Sequence, residues 1–101
     1  MTEQLRQELS EMIGPAEWQN LLPHAARDSI VVVHPGLDLL DVGVAVATDN
    51  VSSVQRWISE ALITKPTVGQ LQNWERDRSH QFQALIVQPY VLIQDTKTEN
   101  A

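Results

Sequence analysis

Three side chains that could do chemistry fall within eight positions of one another in VVVHPGLDLLDVGVAVATDN, residues 31–50. One imidazole, His34, and two carboxylates, Asp38 and Asp41, form a set that could bind a divalent ion or act as an acid–base site. A structural interpretation fits them too: His34 ends a strand, Asp38 caps a helix, and Asp41 interacts favourably with the helix dipole. We favour the structural interpretation and keep a small metal-dependent enzyme using these residues as the alternative.

No other pattern in the chain points to catalysis. There is no cysteine, which excludes thiolate ligands and cysteine nucleophiles. The serines lie outside any GxSxG elbow, the four glycines are isolated, and no HExxH pattern occurs. We therefore expect no cofactor, and we consider a non-catalytic protein more consistent with the sequence than an enzyme.

Composition and charge narrow the range of partners. The chain has 101 residues and a formal net charge of −6, which phosphate backbones and anionic membranes repel. Only Arg76 and Arg78 are basic residues close in sequence, and Asp77 separates them. No apolar run approaches the roughly 20 residues of a membrane span, and the start of the chain is amphipathic and acidic, unlike a secretory signal. We expect a cytoplasmic protein that binds neither nucleic acid nor membranes.

Apolar residues recur at helical spacing in four segments: 2–13, 15–22 with an extension to about 27, 51–63, and from 67 to about 74. Residues 38–47 fit two periods, so their structure stays open. They can form a helix that begins at Asp38, or a strand in which Val42, Val44 and Val46 alternate with small residues. We favour a helix that is buried on most sides.

Two segments have the pattern of strands. SIVVVH, residues 29–34, is a β-branched run typical of a buried strand, and residues 81–94 alternate, with Pro89 marking a kink, bulge or edge. We predict an α+β fold in which four to five helices pack on a small two- to three-stranded sheet. Residues 1–94 are expected to form a single domain, and residues 95–101 a disordered polar tail.

Aromatic residues suggest a function in protein recognition. Trp57 and Trp74 lie on apolar helix stripes and are expected in the core. Trp18 lies on a shorter helix and Tyr90 follows Pro89 on a kinked strand, so both are candidates for an interface. The predicted function is a non-catalytic protein-interaction or regulatory module that binds a protein partner or self-associates.

The run HPGLDLLDVGVAVATDNVSSVQRWISEALITKPT, together with Trp74 and ALIVQPYVLIQ, resembles a family of small bacterial proteins, domain of unknown function 2288. The resemblance extends from about Leu5 to Gln94. In similar sequences the segment 39–47 is rich in alanine and precedes a helix, which favours the helical interpretation. The resemblance implies no activity, so no catalytic residue is carried over from it.

Overall fold

The computed structural model describes residues 2–95, which form five helices and five strands. The helices are α1 (Thr2–Met12), α2 (Trp18–Ala26), α3 (Leu39–Ala47), α4 (Val51–Ser59) and α5 (Val68–Arg76). The strands are β1 (Gly14–Glu17), β2 (Ile30–Val33), β3 (Ile63–Thr64), β4 (Gln81–Val87) and β5 (Tyr90–Asp95). No helix among residues 2–95 is long and apolar enough to cross a membrane.

The five strands form one mixed sheet in the order β1-β4-β5-β2-β3. Strands β2 and β5 are parallel, and every other neighbouring pair is antiparallel. The apolar run of β2 lies between β5 and β3, where a strand is covered on both sides by hydrogen-bonded neighbours. The α+β class is therefore confirmed, but the sheet has five strands rather than two or three.

Alternating side chains divide the core into two layers, one on each face of the sheet. The first layer receives α1 and α3, and its buried members are Leu9, Val33, Leu39, Val42, Ile63, Leu85, Val87 and Leu92. The second receives α2 and α5, and its buried members are Trp18, Leu21, Ile30, Trp74, Phe82, Val91 and Ile93. The sheet is therefore covered by helices on both faces.

Residues 39–47 form a helix, as favoured from the sequence, and the strand interpretation is wrong. The helix begins after Asp38, whose Oδ1 accepts a hydrogen bond from the backbone nitrogen of Leu40 at 2.8 Å. A Cβ built on Gly43 would lie 2.4 Å from Cδ2 of Leu85. Glycine at this position therefore allows α3 to approach β4 closely.

Two strands that the periodicity did not predict form the edges of the sheet. Pro15, expected at the start of a helix, lies in β1 and pairs with Gln83, while α2 begins only at Trp18. An edge strand tolerates proline because the missing N–H can face solvent. At the other edge, α4 ends before Ala61, whose φ is 60°, and Ile63 then pairs with Val33.

Residues 81–94 form two strands rather than one kinked segment. The chain reverses at Gln88 and Pro89, and Val87 pairs with Tyr90. Proline cannot donate to a strand ladder, which suits a turn. The predicted disordered tail begins at Asp95, but Asp95 is the last residue of β5. The rest of that predicted tail, residues 96–101, lies outside the described residues.

Candidate functional site

His34, Asp38 and Asp41 each serve a local structural purpose. His34 lies at the turn after β2, where its Nδ1 accepts a hydrogen bond from the nitrogen of Gly36 at 2.9 Å. Asp38 caps α3, and Asp41 in the first turn of α3 forms an ion pair with Arg6 of α1. The hydrogen bond from Arg6 to Asp41 raises the pKa of the Arg6 guanidinium.

The three residues do not assemble into a metal centre. Within residues 2–95, no group of three or more histidine, cysteine, aspartate or glutamate side chains is arranged to hold a metal ion. The Asp38 carboxylate is oriented by the hydrogen bond that its Oδ1 accepts from the Leu40 nitrogen, which is the contact of a helix cap. The contacts of these three residues favour a structural role, in which they position the connection between β2 and α3, over acid–base chemistry.

Trp18 lies in the core, so it is not the surface residue that the sequence suggested. Only 1% of it is exposed, and its ring lies 5.0 Å from that of Trp74. Its indole Nε1 donates to Oε2 of Glu75 at 3.3 Å. The hydrogen bond from Arg78, and secondarily that from Trp18, lowers the pKa of the Glu75 carboxyl. The polar edge of the indole is thus satisfied within the chain, without an external partner.

Helix α4 has an apolar side that the rest of the chain leaves largely uncovered. None of its nine residues, all within the described part of the chain, is buried. Val51 and Ile58 are 52% and 56% exposed, and Val54 and Trp57 are only half-buried. Side chains at positions 51, 54 and 58 share one side of a helix, so the stripe is continuous. The sequence predicted this stripe correctly and placed Trp57 in the core. Trp57 and Val54 do pack against the core, whereas Val51 and Ile58 stay exposed.

This stripe forms one wall of an open groove of about 440 Å³ between α3, α4 and the sheet, which we call the α4 groove. Its floor consists of four buried aliphatic side chains: Val42, Ala45, Ile63 and Leu92. Its walls consist of six further apolar side chains: Val31, Val46, Val51, Val54, Ile58 and Tyr90. A groove of this volume and lining is typical of a binding site rather than of a packing defect.

The polar side chains of the groove are few: Asp49, Asn50, Gln55, Thr64 and Lys65. Asn50 is already engaged, because its side chain caps α4 through the nitrogen of Ser53. Lys65 forms an exposed ion pair with Asp28 at 2.6 Å. The Asp49 carboxylate makes no hydrogen bond or ion pair within residues 2–95. The groove therefore carries one acidic and one basic side chain beside an apolar surface.

Tyr90 is the one residue proposed from the sequence that lies at this groove. It begins β5 on the face that bears Leu92, and it is 44% exposed. The residues of α4 that accompany it were missed as surface residues, because an apolar helix stripe has the same spacing whether its own chain or a partner covers it. No local signal in the sequence distinguishes these two cases.

The fold and the groove define a small α+β domain with a mixed five-stranded sheet and an apolar groove beside α4. The chain belongs to the family described as protein of unknown function (DUF2288), whose family model matches residues 4–95. It is similar to PA1075 from Pseudomonas aeruginosa, whose solution structure was determined by NMR, at 30% sequence identity and a TM-score of 0.76. That match covers 87% of this chain and 81% of the other. No curated protein matches the chain.

Proposed function

We propose that the protein is a non-catalytic interaction module that holds a protein partner in the α4 groove. The observation that carries this proposal is the apolar side of α4, where Val51 and Ile58 remain about half exposed beside a groove with an aliphatic floor. Covering exposed apolar surface is favourable by about 25 cal/mol per Å². Contiguous apolar surface on a small soluble domain is a common mark of a docking site.

A protein partner fits the site better than a small molecule does. A ligand confined to the groove would leave the outward sides of Val51 and Ile58 in water, because both side chains are about half exposed beside it. A helix or a domain surface can fill the groove and cover both side chains at once. The net charge of −6 disfavours nucleic acid as the partner.

The cytoplasmic location and a regulatory role belong to the same proposal. The lack of cysteine fits a reducing compartment, where proteins do without disulfides. Regulation through this site would consist of occupancy of the groove by the partner.

Site-directed photo-crosslinking in the native cell tests this proposal. A photoreactive phenylalanine derivative replaces Tyr90 at the groove, and in a matched control it replaces Ile86. The two residues are 44% and 43% exposed on the paired strands β5 and β4. Ile86 shares the opposite face of the sheet with Phe82, because residues four apart on a strand point the same way.

We expect a discrete crosslinked protein from position 90 that is absent or much weaker from position 86. A product of this kind also reports the mass of the partner, whether it is a second copy of this chain or another protein. Equal crosslinking from both positions, or none from position 90, would refute the groove as the docking site.

A further inference from the structure

We infer that the occupant of the α4 groove is a second copy of this chain, with two grooves meeting across a two-fold axis. This inference rests on the proposed function and names its partner. It follows from two properties of the groove. Its shape can fit the same shape on a second copy, and its charged side chains can pair with the same side chains of a second copy.

One face of the molecule carries both a ridge, formed by Val51 and Ile58, and the α4 groove. Val51 and Ile58 project from α4 with about half of each side chain exposed, and the groove with its aliphatic floor lies directly beside them. In a two-fold contact, each patch meets an identical patch, so the ridge of one protomer can enter the groove of the other. Both ridges are then covered by one association.

The charged side chains of the groove can also pair with those of a second copy. Asp49 and Lys65 both line the groove, one acidic and one basic. Two-fold symmetry requires that if Asp49 of one protomer contacts Lys65 of its partner, the reciprocal contact forms as well. The Lys65–Asp28 ion pair is exposed, so it contributes little to stability and lets Lys65 turn toward a second carboxylate.

The rest of the surface disfavours other ways of bringing two copies together. Each chain carries a net charge of −6, so two copies repel one another over most orientations. The groove is an exception, because the charges of its lining sum to zero. The lining of the groove therefore adds no net charge of its own to the repulsion between like chains, and it offers apolar surface to cover.

The first experiment compares two matched valine substitutions by sedimentation equilibrium. Val51 and Val68 are each the first residue of a nine-residue helix, each follows a capping side chain, and they are 52% and 71% exposed. Asp is favourable in a first helical turn, so Val51→Asp and Val68→Asp should both fold. Only Val51 lies in the groove.

We expect the wild type and Val68→Asp to dimerise reversibly between about 10 µM and about 1 mM, the range of transient complexes. Val51→Asp should weaken dimerisation about tenfold or more, because each dimer contains the substitution twice at its apolar centre. A wild type that stays monomeric up to about 1 mM, or equal weakening by both substitutions, would overturn the inference.

The second experiment exchanges the paired charges. Asp49→Lys and Lys65→Asp should each abolish dimerisation alone, because like charges then face each other twice. A mixture of the two variants restores both opposite-charge contacts and should recover dimers of mixed composition. Asp28→Asn serves as the control, since it breaks the internal ion pair of Lys65 and leaves the proposed contact intact.

Asp49 has a φ of 58°, a left-handed conformation that lysine adopts less readily than aspartate. If thermal melting shows that Asp49→Lys is unfolded, Asp49→Asn replaces it and should weaken the dimer by removing the attraction alone. Dimers that Val51→Asp weakens but that no charge substitution affects would overturn the proposed pairing of Asp49 with Lys65.

The outcomes separate this inference from the proposed function. Crosslinking from position 90 to a different protein, with a monomeric wild type, would support the docking site and refute the second copy as its occupant. No crosslink and no dimer would refute both.

Discussion

Trp18 and Trp74 pack against each other with ring centroids 5.0 Å apart and ring planes inclined at 48°. Phe82 completes the cluster, with its ring edge-on to that of Trp74 at 5.0 Å. The three rings join α2 to α5 and β4, which lie much later in the sequence, on one face of the sheet. This contact explains why Trp18 is unavailable for an interface.

Replacing Trp18 is therefore expected to affect folding rather than association. Trp18→Ala should lower the free energy of unfolding by about 3–5 kcal/mol, because it leaves a large cavity between Trp74 and Phe82. Urea denaturation followed by far-UV circular dichroism measures this loss. Trp57→Ala is the comparison, and it should cost less because Trp57 is only half-buried. A loss below about 1 kcal/mol for Trp18→Ala would contradict the packing described.

Asp38 should behave as a helix cap. Asp38→Ala should destabilise the protein by about 1 kcal/mol, whereas Asp38→Asn should be nearly neutral, because asparagine also accepts a hydrogen bond from the Leu40 nitrogen. Thermal or urea denaturation of both variants measures the difference. Equal losses in the two variants would show that the negative charge, rather than the cap, is what matters at this position.

Divalent ions should leave the stability unchanged. Within residues 2–95, His34, Asp38 and Asp41 do not form a group arranged to hold a metal ion, and each is oriented by a local contact in the chain. A ligand that binds the native state alone raises the melting temperature. We expect metal-stripped protein to melt at the same temperature with Zn²⁺, Mn²⁺ or Mg²⁺ as without them. A saturable rise that His34→Ala abolishes would revive the metal-dependent alternative.

Gly43 should not tolerate alanine, although alanine usually stabilises helices relative to glycine. The added Cβ would lie 2.4 Å from Cδ2 of Leu85, which is fully buried, so the Leu85 side chain must repack or α3 must move away from β4. We expect Gly43→Ala to destabilise the protein by about 1–3 kcal/mol. Gly69→Ala in α5 is the control, since its nearest contact would be 3.9 Å away, and it should be neutral or stabilise by up to about 1 kcal/mol. Equal effects of the two substitutions would contradict the close approach of α3.

Glu75 should titrate below the ordinary range of a glutamate. The hydrogen bonds from Arg78 and Trp18 favour its carboxylate and lower its pKa in the folded protein. A depressed pKa means that this contribution to stability is present above the unfolded-state pKa and is lost as pH falls through the folded-state pKa. NMR titration should show the pKa of Glu75 rising toward its ordinary value in Arg78→Ala. Arg76→Ala, which removes the same charge from the neighbouring residue, should shift the pKa of Glu75 less.

Local features of the fold could be predicted well from the sequence. The start of α5 follows from Thr67 and Gln70, which exchange the hydrogen bonds of a capping box. Strand β2 follows from its run of β-branched residues. Each of these depends on residues within a few positions of one another, so the chain sequence carries the whole signal.

The edges of the sheet could not be predicted in this way. Strand β3 has only two residues, and β1 has four including Pro15, so neither has a period long enough to recognise. Both are strands because Ile63 meets Val33 and Pro15 meets Gln83, partners that lie far away in the sequence. Pairing across a sheet, rather than propensity, defines such short strands.

For the candidate site, the sequence alone determined that α4 has a continuous apolar stripe and that Tyr90 follows a break in a strand. Only the tertiary structure decided that Val51 and Ile58 of this stripe stay exposed while Trp18 is buried. The physical reason is that periodicity specifies which side chains share one side of a helix. What covers that side depends on how α3, α4 and the sheet pack, and those contacts join residues that are distant in the chain.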